Sequence, residues 1–131
     1  MFNNIILIAF ISNFALTEKA YFEITKTNTH EKFIVLLVNP DTIQHARRLL
    51  EGSTQERQNI YGKIIKSRAS YNPNWSYHLD PVSIHFADIS IEQCSSTAAD
   101  MEQRITQDGE TGTIKDIWCP YPSMPTQEIL E

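Results

Sequence analysis

Phe33-Ile34-Val35-Leu36-Leu37-Val38-Asn39-Pro40-Asp41 reads as a strand that runs directly into a helix, and it decides the fold class. An unbroken apolar run bounded by a polar turn and by Asn39-Pro40 has the pattern of a strand buried on both faces. It is therefore the expected central strand. Asn39 can cap a helix through its side-chain oxygen. Pro40 suits the first helical position, where its missing N–H is not needed, and Asp41 complements the positive end of the helix dipole. Ile43, Ala46, Leu49 and Leu50 then recur at spacings of three and four, Arg47 and Arg48 lie near the negative end, and Gly52 can stop the helix. The spacing predicts a helix over 40–51.

On the N-terminal side of this unit, Tyr21-Phe22-Glu23-Ile24-Thr25-Lys26 alternates apolar and polar residues as a half-buried strand does, and Thr27 to His30 is a polar turn. On its C-terminal side, Ile60 to Lys66 returns to strand character. Residues 67–81 carry Pro73 and Pro81 with aromatics between them and no regular period, which predicts a long loop, a place where function often resides. Val82, Ile84 and Phe86 alternate, and Ile89 and Ile91 alternate on the opposite parity, so a β-bulge near Ala87-Asp88 would bring both sets to one face. Ser95 or Ser96 can cap a helix over 97–107 that carries Ala98, Met101 and Ile105 and ends at Gly109. Thr111 to Trp118 is a last short strand, and the tail from Pro120 is expected to run over the surface.

From residue 32 the order is β-α-β-β-α-β, that of ferredoxin-like folds, with strand 21–26 added in front. The expected fold is α+β, an antiparallel sheet with two helices on one face. A second arrangement makes strand 21–26 essential to a different α+β sheet and drops the last strand.

With 131 residues, 41% hydrophobic and 21% charged, the chain is expected to form one globular domain. Ile5 to Leu16 is apolar except for Ser12 and Asn13, too short to span a bilayer but suited to the core of a secretory signal. The reading is a signal peptide over 1–20, a single domain over 21–131, secretion, and no stable membrane insertion. No Lys or Arg precedes the apolar stretch, and cleavage after Ala15 or Ala20 would place Asn13 or Glu18 where a small residue is preferred. The competing reading makes residues 5–16 an opening core element.

An oxidising compartment favours pairing of the two cysteines, Cys94 with Cys119, a loop closure worth roughly 3 kcal/mol in the chain-entropy model. The formal net charge is −5. Residues 21–68 hold eight Lys and Arg against five acids, whereas residues 69–131 hold two against ten. An acidic chain without clustered cations makes a poor nucleic-acid binder, because phosphate neutralisation supplies most of that affinity.

His78, Asp80 and His85 are the closest metal-type set, imidazole with carboxylate suiting zinc. Their odd spacing does not place them on one strand face, and no HExxH, GxSxG or glycine-rich phosphate loop occurs. Neither a metal, a cofactor nor a catalytic residue is assigned. Tyr71, Trp75 and Tyr77, with Phe86 next and Trp118 and Tyr121 drawn in by the disulfide, could form a platform for a sugar, a peptide or another planar ligand. The competing reading packs these rings against the sheet. The binding set is Tyr71, Trp75, Tyr77, His78, Asp80 and Trp118. Asn74-Trp75-Ser76 is a glycosylation sequon, and Ile43-Gln44-His45-Ala46-Arg47-Arg48 resembles half of a calmodulin-docking IQ motif.

YFEITK, FIVLLVNPDTIQHARRLLEG, YNPNWSYHLDPVSIHFADISIEQC and WCPYPS together resemble the N-terminal domain of a family named after a calmodulin-binding protein, across about residues 21–123. The YNPNWSYHLDP core is its distinctive part. The resemblance implies a domain that often occurs alone behind a signal peptide, with both cysteines as family features, and it implies no catalytic residues. The expected function is a secreted binding module without catalytic activity, its partner a protein or a small ligand. The alternatives are a metal-dependent enzyme using His78, Asp80 and His85, and an inhibitory or calmodulin-binding partner domain. Calmodulin is cytosolic, which sets that partner against an exported chain.

Overall fold

The computed structural model of the chain describes residues 18–112 and 114–130, so most of the expected signal peptide lies outside the described residues. Strands β1 (Ala20–Lys26) and β2 (Phe33–Leu37) form an antiparallel hairpin. Its register sets Ala20, Phe22 and Ile24 opposite Leu37, Val35 and Phe33, and all six side chains are buried. Directly opposed residues share a face, so this pairing commits one whole face of the hairpin to the core. Helix α1 (Pro40–Glu51) follows as predicted. Asn39 Oδ1 accepts the Asp41 N–H at 2.8 Å, and Gly52 closes the helix at φ 78°, a left-handed conformation that costs glycine nothing.

β2 is nevertheless an edge strand. The sheet order is β2-β1-β7, where β7 (Ser123–Ile129) is formed by the tail for which the sequence predicts a surface path. Pro125 hides this strand in the sequence. A proline is tolerated on an edge strand or at a bulge, and the β1–β7 register shifts between Glu23 and Ile24 where Pro125 enters. Ile34 and Leu36 are only half-buried, and the Ile34 N–H finds its acceptor in a side chain, Asn72 Oδ1 at 2.9 Å.

A second antiparallel sheet is built on β3 (Asn59–Ile65). Strands β4 (His78–Leu79) and β5 (His85–Ala87) pair with its two ends and β6 (Ile117–Trp118) with its middle. The register slips between the β4 and β5 pairings, and the residues looped out form the 3-10 turn Pro81–Ser83, capped by Asp80. The irregularity expected at Ala87-Asp88 therefore falls earlier. Val82 sits on the loop tip with 81% exposure, and Ile89 and Ile91 lie outside any strand and exposed. The predicted strand to Trp118 shrinks to β6 because a 3-10 turn, Ile114–Asp116, occupies the residues before it.

Helix α2 (Ala98–Gln103) is capped by Thr97 rather than Ser95 or Ser96. It continues as a wider π turn, Arg104–Asp108, to Gly109 in the left-handed region. The Glu31 carboxylate accepts the N–H groups of Ala98 and Ala99, each at 2.8 Å, and so binds the helix start to the β1–β2 turn.

The fold is α+β with antiparallel sheets and two helices, as the element order implied. The strands divide between two sheets because β7 takes the second edge of β1. Strand 21–26 is thus the centre of its sheet, as the second arrangement required. Both sheets and both helices contribute to one core that includes Phe22, Val35, Ile43, Ile60, Leu79 and Met101.

Candidate binding surface and buried aromatic wall

Phe33 is the hub of the aromatic cluster, with ring centroids of Trp118, Tyr77 and Trp75 at 4.9, 5.1 and 6.1 Å. Tyr77 and Trp118 are buried, and their polar tips are satisfied inside. The Tyr77 hydroxyl donates to Ala98 O at 3.1 Å and Trp118 Nε1 to Ser96 O at 3.1 Å. Burial, with the nearby carboxylates of Glu31 and Glu102, pushes the Tyr77 phenol far above its usual range. These two rings form the wall between α2 and the β-sheets. Trp75 alone of the four is partly open. Its indole N–H donates to Lys32 O at 2.9 Å, which fixes the ring orientation while part of its surface meets solvent.

Tyr71 is half-buried between Tyr21 and His78, at 5.3 and 6.2 Å, and burial raises its phenol pKa, helped by Tyr21 and Asp80. Its hydroxyl has no hydrogen-bond partner. His78 Nδ1 lies 2.7 Å from Ser67 O, Asp80 Oδ1 accepts the Val82 N–H at 3.2 Å, and His85 stacks on Tyr61 at 4.9 Å. His78, Asp80 and His85 therefore serve separate local roles. Among the described residues no three His, Cys, Asp or Glu side chains are grouped to hold a metal ion. The turn Pro81–Ser83 lies between His78 and His85 and separates their strands.

Cys94 and Cys119 are joined as a disulfide, and the Cys119 N–H donates to Cys94 O at 2.8 Å. Asn72, which the sequence did not single out, is the pin of the long loop. It is buried, its Oδ1 takes the Ile34 N–H, and its Nδ2 donates to Tyr77 O at 3.3 Å. The distinctive YNPNWSYHLDP run is thus a clamp: Asn72 holds β2, Tyr77 enters the core, His78 and Leu79 form β4, and Asp80 with Pro81 starts the next turn.

Those clamp residues and the bridged cysteines all fall within one family match, which covers residues 18–131 and is the N-terminal domain of the calmodulin-binding protein family resembled by the sequence. The chain belongs to that family. No curated protein and no solved structure matches it. The boundary of this calmodulin-binding-protein N-terminal domain coincides with the first described residue, where Glu18 meets Arg47 at 3.3 Å shortly before Ala20 opens β1.

Two concavities mark the family domain. A broad open one, about 480 Å³, lies beside Trp75 and is lined by His30, Glu31, Lys32, Asn74, Trp75 and Ala99. A smaller one, about 110 Å³, lies over α1 between Asp41, Thr42, His45, Arg57, His85 and Phe86. Sequence reasoning missed the second, since its two histidines lie far apart along the chain. The apolar side of the IQ-like segment is occupied: Ile43, Ala46 and Leu49 are core residues, so α1 offers a partner only its polar face. No helix among the described residues is long and apolar enough to cross a membrane.

Proposed function

We propose that this N-terminal domain is an exported binding module without catalytic activity, and that its contact surface is the concavity beside Trp75. One observation carries the reading. A tryptophan is pinned at its polar edge by Lys32 O and backed by Phe33, yet it faces an open concavity of about 480 Å³. A fixed aromatic surface loses little conformational entropy on binding, which is why Trp and Tyr anchor so many contact sites. Asn74 and Lys32 add hydrogen-bond donors beside it, and His78 and Asp80 lie on the same long loop toward Tyr71. Tyr77 and Trp118 support the surface from behind.

Tryptophan emission tests the proposal, because the second tryptophan, Trp118, is buried and acts as an internal reference. The secreted protein is titrated with peptide and oligosaccharide libraries and with calcium-loaded calmodulin. A saturable change that disappears in Trp75→Phe with retained Trp118 emission supports the surface. Saturable binding untouched by that substitution places the contact elsewhere and overturns it, as does turnover of any library member.

A further inference from the structure

The smaller concavity carries an inference of its own. His45 projects from α1 with only 5% exposure, and its Nε2 stands 3.0 Å from two backbone carbonyls, Glu56 O and Arg57 O. Carbonyl oxygens only accept, so Nε2 carries the proton, and Nδ1 of the neutral ring is a bare lone pair. That Nδ1 is buried and has no hydrogen-bond partner. A buried acceptor left unpaired is costly in a native protein and calls for an explanation.

His85 lines the same concavity from β5 and repeats the arrangement. Its Nδ1 faces Ser83 O at 3.4 Å, which leaves Nε2 as the unprotonated nitrogen. Asp41 adds a carboxylate one helical turn before His45, on the same side of α1. Imidazoles oriented by a backbone carbonyl on one nitrogen, with the other nitrogen bare, are the usual outer-shell support of metal-binding histidines. Arg57, whose carbonyl holds His45, sits at φ 53°, and its N–H donates to Asp88 Oδ1, so the supporting loop is held in a conformation that a non-glycine residue rarely adopts.

We propose that Asp41, His45 and His85 form a binding site for a first-row divalent transition ion of the zinc or copper class. Two imidazole nitrogens and a carboxylate oxygen suit these ions and discriminate against calcium and magnesium, which demand oxygen donors. The three side chains are not drawn together as a finished set. Asp41 and His85 are exposed and free to change rotamer, and they close on the fixed nitrogen of His45, with water completing the coordination. The site is independent of the Trp75 concavity and of the set His78, Asp80 and His85.

The full chain, disulfide intact, is titrated with Zn²⁺ by calorimetry and with Cu²⁺ by NMR. The proposal expects one zinc equivalent and selective Cu²⁺ broadening of the His45 and His85 ring signals over those of His30 and His78. Affinity is expected to fall on the order of tenfold or more in both Asp41→Asn and His85→Ala, exposed positions that leave the core intact, and to hold in His78→Ala. Absence of stoichiometric zinc, broadening centred on His30 or His78, unchanged affinity in Asp41→Asn or His85→Ala, or loss in His78→Ala each overturns it.

Discussion

Asn59 Oδ1 accepts the backbone N–H of Ser123 at 2.8 Å, while the Ser123 hydroxyl oxygen accepts the N–H of Ile60 at 3.1 Å. Both side chains are buried, and Asn59 Nδ2 also donates to Ala87 O and Asp88 O at 3.2 and 2.8 Å. This reciprocal pair joins the first sheet to the second where β3 and β7 begin. Asn59→Ala strands the Ser123 N–H and leaves two carbonyls short of a donor, and it is expected to cost about 2–4 kcal/mol in urea unfolding. Ser123→Ala is expected to cost about 1–3 kcal/mol, with non-additivity between the two.

Gly62 lies where β3 passes Leu79. A Cβ there would stand 2.8 Å from Leu79 Cδ1 and 3.2 Å from Leu79 Cβ, and Leu79 is fully buried in the core. Gly62→Ala is expected to destabilise by about 1–3 kcal/mol through overpacking. In a Leu79→Ala background the same change is expected to cost clearly less, because the clashing atoms are gone. Equal costs in the two backgrounds would contradict a steric cause.

Reduction of Cys94–Cys119 is expected to lower stability by about 2–4 kcal/mol. The strand pairing of β7 with β1 does not depend on the bridge. Hydrogen exchange on the reduced protein should therefore rise first over 90–97 and 108–119, with 123–129 still protected. Earlier loss of β7 protection would show that the disulfide, rather than the sheet, holds the tail.

Arg47 grips Glu128 with two parallel bonds, Nε to Oε1 at 3.0 Å and Nη2 to Oε2 at 2.9 Å. The guanidinium bonds hold the Glu128 carboxyl below its usual pKa, with desolvation opposing. A depressed folded pKa contributes stability above the unfolded value, about 4.3, and that contribution is lost as pH falls through the folded one. Unfolding free energy is expected to decline below about pH 5 by an increment of up to roughly 1 kcal/mol that Glu128→Gln removes. A pH profile unchanged by Glu128→Gln would refute this.

Export, if it removes a leader, leaves a mature chain that still contains Ala20, since Ala20 is buried opposite Leu37 and Glu18 pairs with Arg47. N-terminal sequencing of the secreted protein is expected to begin upstream of Glu18, consistent with cleavage after Ala15. A mature N-terminus at Tyr21 would show that β1 survives without its first residue.

Helix 40–51, strands 21–26 and 33–37, the end of the second helix at Gly109 and the pairing of the cysteines were all legible in the sequence. Each rests on a signal read within a few residues, such as the Asn39-Pro40 cap and the alternation from Tyr21, or on an even cysteine count. The YNPNWSYHLDP run likewise pointed to the family. That the Pro125 tail is a strand follows only from three-dimensional pairing, because its hydrogen-bond partners lie about a hundred residues away in β1. Packing likewise turns Tyr77 and Trp118 inward and keeps Trp75 at the surface, since composition does not say which ring meets Phe33 from which side. The approach of His85 to His45 rather than to His78 has the same origin: antiparallel pairing of β3 with β5, with Pro81–Ser83 looped out, sets residues far apart in sequence on one concave surface.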